Sequence, residues 1–96
     1  MEFKLDGKAI FTEYDFHQKI ADLLDFGDCY GNNLDALWDI LTTDIERPIK
    51  LIWNHSKISC QNLGIETFYR IVKVLQNVQA WDEEMGCKER FEFELH

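Results

Sequence analysis

Hydrophobic and polar positions alternate in short stretches near both ends of the chain, at residues 2–5 (Glu-Phe-Lys-Leu) and 91–95 (Phe-Glu-Phe-Glu-Leu). A period of two predicts strands with one buried and one wet face. We expect the second of them to be an edge strand. Residues 49–53 (Ile-Lys-Leu-Ile-Trp) are mostly apolar, which predicts a strand covered on both faces.

Three longer stretches place apolar residues at the spacing of an amphipathic helix, from 14 to 24, from 34 to about 43 and from about 64 to 79. Thr12 is available to cap the first helix, and an asparagine of the Asn32-Asn33 pair is the natural N-cap of the second. The remaining polar stretches predict a loop at 54–62 and a solvated connection at 82–84.

Strands separated by helix-length connections pair in parallel through right-handed crossovers. The sequence therefore predicts an α/β fold with a small three-stranded parallel sheet and three to four helices packed on it. Because the chain has only 96 residues, all of them (1–96) are expected to form one domain.

The charge of the chain excludes two classes of partner. Eighteen acidic residues against ten Lys and Arg leave a formal charge of −8. Binding to a phosphate backbone needs clustered bases, so we expect no direct contact with nucleic acid, and an anionic membrane surface would repel the chain. The chain also has neither a signal-peptide pattern nor an apolar run long enough to span a membrane.

The cysteines Cys29, Cys60 and Cys87 are odd in number and widely spaced, without a CxxC pair. This pattern is too sparse for a disulfide framework or a zinc site. We expect three reduced, partly buried thiols in a cytoplasmic protein.

The acidic residues are concentrated in one stretch of the chain. No base occurs between Lys19 and Arg47, and seven acids lie there: Asp22, Asp25, Asp28, Asp35, Asp39, Asp44 and Glu46. Such a stretch opposes compaction by self-repulsion. The simplest interpretation is a solvated surface that keeps the protein soluble.

The arrangement of side chains on the second predicted helix favours a binding function over a merely solvated surface. Its leucines form one face, which belongs to the core, and the neighbouring face carries Asp35, Trp38, Asp39 and Thr42. Aspartates four residues apart on a helix repel each other. A rigid acidic patch with an aromatic side chain beside it is suited to bind a basic partner.

Residues 30–39 read Tyr-Gly-Asn-Asn-Leu-Asp-Ala-Leu-Trp-Asp. This block resembles the YGxNLDALWD motif of the barstar family, intracellular inhibitors of ribonucleases. Scattered similarity at 15–18, Pro48, Trp53 and 86–87 extends the resemblance over nearly the whole chain. It implies a barstar-like fold that agrees with the one predicted above, and an inhibitor rather than an enzyme.

The resemblance implies stoichiometric inhibition of a small, basic, secreted microbial ribonuclease of the barnase type, by a cytoplasmic protein that is a monomer when free. Asp39 would occupy the phosphate subsite of the enzyme, and Asp35 would pair with basic groups beside it. No cofactor or metal is expected. The expected partner-binding residues are Tyr30, Gly31, Asn33, Asp35, Trp38, Asp39, Thr42, Asp44 and Glu46.

The chain departs from the family pattern at the rim of this site. Cys29 stands where the family usually has an aromatic residue, and Thr43 and Asp44 stand where it often has Gly and an aromatic residue. On the last helix, Lys73, Val74 and Gln76 occupy the region of a further acidic contact. These changes suggest a rim adapted to a ribonuclease other than barnase.

Two alternatives use the same residues differently. Paired aspartates could serve as acid and base or hold Mg²⁺, but the chain lacks a nucleophile with a nearby His, a phosphate-binding glycine loop and EF-hand spacing. The second alternative is a barstar-like immunity or binding module for another basic protein, such as a toxin domain, which would use the same acidic helix.

Overall fold

Three strands and four α-helices follow one another in the computed structural model, which describes all residues from 1 to 96. The α/β fold predicted from the sequence is confirmed. The elements are β1 (Glu2–Asp6), a 3₁₀ turn (Gly7–Ala9), α1 (Glu13–Leu24), α2 (Leu34–Thr43), β2 (Ile49–Asn54), α3 (Ser56–Leu63), α4 (Ile65–Glu84) and β3 (Phe91–Leu95).

The three strands form one parallel sheet in the order β1-β2-β3. The register sets Leu51 of β2 between Phe3 of β1 and Phe93 of β3. The predicted parallel pairing is therefore confirmed, and β3 lies at an edge of the sheet as expected.

The main core lies on one face of this sheet, and Ile52 on the opposite face of β2 is also buried, so the expectation that β2 is covered on both faces is confirmed at that position. Leu51 and Trp53 are fully buried on the core face. On the opposite face Ile52 lies in register between Lys4 and Glu94, next to the Lys50–Glu94 ion pair. The long side chains of these charged neighbours can cover Ile52 while their charged ends stay in water, and no helix is needed on that face.

The core contains 17 buried apolar side chains from the sheet and the helices around it. Its centre is aromatic: the ring of Phe16 in α1 stacks on Trp53 at 5.1 Å, and Phe68 of α4 lies 5.2 Å from the same indole. Full burial of such a side chain contributes roughly 1.5–3 kcal/mol. None of the four helices is both long and apolar enough to cross a membrane.

The stretch 54–62 was expected to be a loop, but most of it forms α3. The helix has buried polar residues, so its sequence lacks an apolar face. The hydroxyl of Ser59 accepts a hydrogen bond from Trp53 Nε1 (2.9 Å) and donates one to the carbonyl of Gly7 (2.8 Å). Because Ser59 is buried through hydrogen bonds to residues outside α3 and not through an apolar face, hydrophobic periodicity could not predict this helix.

The last helix is longer than expected, and residues 82–84 belong to it rather than to a solvated connection. Asp82 is buried and forms a two-point ion pair with Arg47, with Nε–Oδ2 at 2.9 Å and Nη2–Oδ1 at 3.2 Å. It also accepts a 2.7 Å hydrogen bond from the backbone N–H of Phe91, the first residue of β3. One carboxylate thus joins α4, the segment before β2 and the start of β3.

The Arg47–Asp82 pair predicts a specific acid sensitivity. Burial alone would raise the pKa of Asp82, but the hydrogen bonds from Arg47 and Phe91 and the charges of Arg47 and Arg90 lower it below its usual value. A carboxyl with a depressed folded-state pKa stabilises the fold above its unfolded pKa of about 3.9, and this stabilisation is lost as pH falls through the folded pKa. We expect the urea midpoint to fall more steeply below about pH 4 in the wild type than in Asp82→Asn. Equal pH dependence in the two proteins would contradict this prediction.

Candidate functional site

Helix α2 begins and ends where the sequence predicted, because its start signal is local. The Asn33 side chain accepts a 2.8 Å hydrogen bond from the backbone N–H of Ala36, which makes Asn33 the N-cap. Leu37 and Leu41 are fully buried and attach the helix to the core. The opposite face of a rigid helix therefore points to solvent.

Four carboxylates on and after this helix are exposed: Asp35, Asp39, Asp44 and Glu46. The ion pairs of the structure are Arg47–Asp82 and Lys50–Glu94, two histidines contact Glu13 and Glu94, and none of these contacts includes the four acids. Asp35 lies in the first turn, where the helix N-terminus favours a negative charge. The other three have no such compensation. We call these four residues the acidic patch.

The nearest base in sequence does not neutralise the acidic patch. Arg47 follows Glu46 directly, but its guanidinium is bound to Asp82, and its Nη1 donates a 2.9 Å hydrogen bond to the carbonyl of Ile45. The Arg47 side chain is only 14 % exposed. No base within the chain therefore pairs with the acidic patch.

The loop before α2 is held against α1 by a buried histidine. The hydroxyl of Tyr30 lies 2.6 Å from Nδ1 of His17, and Nε2 of His17 lies 3.0 Å from a Glu13 carboxylate oxygen. Burial, with a smaller contribution from the Glu13 charge, holds the pKa of Tyr30 well above its usual value. The hydroxyl thus keeps its proton and is available as a hydrogen-bond donor to the His17 ring.

A second set of hydrogen bonds fixes the same loop. Gln18 of α1 donates a 2.8 Å hydrogen bond to the side-chain oxygen of Asn32, and the side-chain nitrogen of Asn32 donates one to the carbonyl of Tyr30. Asn32 has a positive φ of 54°, a conformation that asparagine adopts more readily than most residues. Sequence reasoning missed His17 and Gln18 as supports of the site because their partners in the loop are 13 and 14 residues away, and it missed Glu13 because that residue acts only through His17.

Tyr30→Phe tests whether this loop needs its anchor. The substitution keeps the ring but removes the hydroxyl from His17, leaving a buried ring nitrogen without its partner, and we expect it to lower the free energy of unfolding by about 1–3 kcal/mol. Tyr14→Phe is the matched control, since Tyr14 lies on the same helix as His17, is 62 % exposed and should leave stability unchanged. Urea denaturation of both variants gives the comparison, and equal midpoints would refute the anchoring role.

The loop and α2 enclose a hollow of about 220 Å³ that contains two members of the acidic patch. The lining residues are Cys29, Tyr30, Gly31, Ala36, Asp39, Ile40 and Asp44. Two carboxylates in a shallow hollow can receive a guanidinium or an ammonium group through charge-assisted hydrogen bonds.

The three cysteines are unpaired, and Cys60 and Cys87 are half-buried as expected from the sequence. Cys29, at the edge of the hollow, is exposed, which differs from the partly buried thiol that was expected.

Trp38 lies at one border of α2, half-buried against a residue that the sequence did not single out. Its ring meets Trp81 of α4 edge-on at 5.8 Å, and Trp81 is 42 % exposed. The hydroxyl of Thr42 donates a 2.7 Å hydrogen bond to the Trp38 carbonyl, so its proton is used within the helix. The helical spacing of apolar residues continues past residue 79 and could have indicated Trp81. The acidic residues 82–84 led instead to the prediction of a solvated connection there.

The structure brings most of the predicted site together, and the side chains of Tyr30, Asn33, Trp38 and Thr42 also have contacts within the chain. Tyr30, Gly31, Asp39 and Asp44 line one hollow, and Asp35 lies one turn before Asp39 on the same helix. Asn33 is engaged as the helix cap and also donates a 3.2 Å hydrogen bond to the Gly31 carbonyl. Contact with a partner stays a prediction for Asn33, for Thr42 and for the other predicted partner-binding residues. The structure contains no group of three or more His, Cys, Asp or Glu side chains arranged to hold a metal ion.

The fold and the site together define a small α/β protein that displays an acidic helix beside an anchored loop. The family model described as Barstar (barnase inhibitor) matches residues 1–94, and the chain belongs to this family. A protein of Bacillus subtilis (strain 168) named "Putative ribonuclease inhibitor YrdF" is 40% identical to it over 60 residues. That match covers 62% of this chain and 66% of the relative, just under two thirds of the relative's length.

Proposed function

We propose that this protein inhibits a small, basic, secreted ribonuclease of the barnase type, by covering its active site with α2 and the loop before it. The observation that carries the proposal is the acidic patch, whose carboxylates are exposed on a rigid support and unpaired within the chain. Membership of the barstar family and the name of the Bacillus subtilis relative, a ribonuclease inhibitor, support it. In this function the protein acts in the cytoplasm and protects the cell that makes the ribonuclease.

The mechanism rests on the resemblance between a carboxylate and a phosphate oxyanion. A ribonuclease holds the RNA backbone with cationic groups that are already arranged around a negative charge. Asp39, in the hollow between the loop and α2, would take the phosphate position, and Asp35 would pair with bases beside it. Because the carboxylates of this chain and the cationic groups of the enzyme are both held in place before binding, little conformational entropy is lost when the complex forms.

The net charge supports rapid encounter with such a partner. A chain of charge −8 and a basic enzyme attract each other over distances comparable to the Debye length, about 10 Å at 0.1 M salt. The association rate should therefore fall steeply as salt is added. Exposed acids outside the contact contribute to this attraction even where they make no hydrogen bond.

A titration against barnase and other small secreted microbial ribonucleases tests the proposal. We expect stoichiometric loss of RNA cleavage, an association rate that falls about tenfold or more between low and physiological salt, and displacement of the inhibitor by nucleotides that occupy the active site. Salt-sensitive binding that active-site nucleotides do not displace would argue against active-site inhibition.

A second candidate partner is another basic protein, such as a toxin domain with a different activity. The rim supports this alternative, because Cys29 and Asp44 line the hollow where the family often has aromatic residues. In the same titration, this candidate predicts no inhibition of any ribonuclease, together with salt-sensitive binding to the other protein.

A further inference from the structure

A second hollow lies beside the start of α2, on the exposed side of α4. Its volume is about 640 Å³, and it is lined by Leu34, Glu66, Tyr69, Arg70, Lys73 and Gln76. Tyr69 is 59 % exposed, so an aromatic ring forms part of the accessible wall. Tyrosine and arginine, the residue types at positions 69 and 70, are enriched at protein interfaces.

The charge of this hollow is opposite to that of the acidic patch. Arg70 and Lys73 are exposed one helical turn apart, and neither takes part in any ion pair of the structure. The only hydrogen bond of the Arg70 side chain goes to the hydroxyl of Thr67, at 3.1 Å. Glu66 supplies a single negative charge, so the hollow has one more base than acids in a chain that carries −8 overall.

The second hollow borders the N-terminal end of α2, the helix that carries Asp35 and Asp39. Leu34 forms part of the wall of the second hollow and directly precedes Asp35, the first acid of the acidic patch. A partner that covers Asp35 and Asp39 therefore also approaches the edge of α4. Like charges facing each other at such a contact cost several kcal/mol, so a purely cationic partner surface could not be seated over Arg70 and Lys73.

We propose that the ribonuclease bound by this protein carries an acidic side chain beside its cationic cleft, and that this carboxylate docks in the hollow formed by Tyr69, Arg70 and Lys73. This inference rests on the proposed function and specifies the partner further: its contact surface is cationic at the centre and anionic on one side. Two cations are too few to hold a nucleic-acid backbone on an acidic chain, which is why a single protein carboxylate is the occupant.

The test compares Lys73→Glu with Lys57→Glu, a matched change at an exposed lysine of α3. The probe is whichever small secreted ribonuclease the wild-type chain inhibits most tightly in an RNA-cleavage assay. Both variants make the chain more negative by two charges, which by itself would favour a basic enzyme. We expect Lys73→Glu to bind at least tenfold more weakly and Lys57→Glu to bind within about twofold of the wild type or more tightly. Lys73→Gln, which only removes the charge, should be intermediate.

The outcomes separate this inference from the proposed function. Equal or tighter binding by Lys73→Glu, with Asp39→Ala still impaired, would overturn the inference and leave the inhibitor proposal intact. Failure of the wild-type chain to inhibit any ribonuclease would overturn both. Rescue of Lys73→Glu by an acid-to-lysine change in the ribonuclease, at a position found by crosslinking to residue 73, would establish the pair directly.

Discussion

Asp39→Ala is expected to raise the inhibition constant for the target ribonuclease by a factor of roughly 30 to several thousand. Truncating one partner of a buried, hydrogen-bonded charge pair costs about 2–5 kcal/mol, much of it from the cations left unpaired on the other side. Asp39 lies in the hollow between the loop and α2, where the phosphate-binding groups of the enzyme would be enclosed. The inhibition constant is measured by titrating RNA cleavage with purified variant.

The fold should tolerate this substitution. The Asp39 side chain is exposed and forms no hydrogen bond or ion pair, and removing it relieves repulsion with Asp35 four residues earlier. We expect the free energy of unfolding to change by less than about 0.5 kcal/mol. Glu92→Ala, at an exposed acid on the edge strand β3, is the control for net charge and should change inhibition by no more than a few-fold. An Asp39→Ala protein that inhibits normally would remove Asp39 from the site.

Asp82→Ala should have the largest effect on stability, about 3–5 kcal/mol, because it leaves the mostly buried Arg47 guanidinium without its counter-ion. It also removes the acceptor of the Phe91 N–H at the start of β3. The loss is measured from urea or thermal unfolding. Inhibition by the fraction that remains folded should change little, since Asp82 has no part in the acidic patch.

Glu83→Ala is the matched control for this change, as Glu83 is the next residue of α4 and is exposed. We expect it to shift the free energy of unfolding by less than about 0.5 kcal/mol. The double variant Arg47→Ala/Asp82→Ala should lose less than the sum of the two single variants, because neither charge is then left unpaired. Additive losses would show that the two residues stabilise the fold independently.

Features governed by neighbouring residues could be predicted from the sequence. Helix α2 has its cap at Asn33 and its buried leucines within ten residues of each other, so the predicted range, 34 to about 43, is confirmed. The cap of α1 is equally local: Thr12 and Asp15 form a capping box. Helix α3 could not be predicted, since Ser59 is buried through hydrogen bonds to Gly7 and Trp53 rather than through an apolar face.

For the site, the sequence by itself determined that a base-free acidic segment includes a short helix with Asp35 and Asp39 on one side. Whether those acids are available to a partner was decided only by the tertiary structure. Arg47 could have neutralised Glu46 beside it, but packing pairs it with Asp82, 35 residues away. Ion pairing depends on proximity in space and on burial, which lowers the local dielectric constant, and neither quantity is encoded in local spacing. The basic hollow beside Leu34 likewise exists only because α4 packs next to α2.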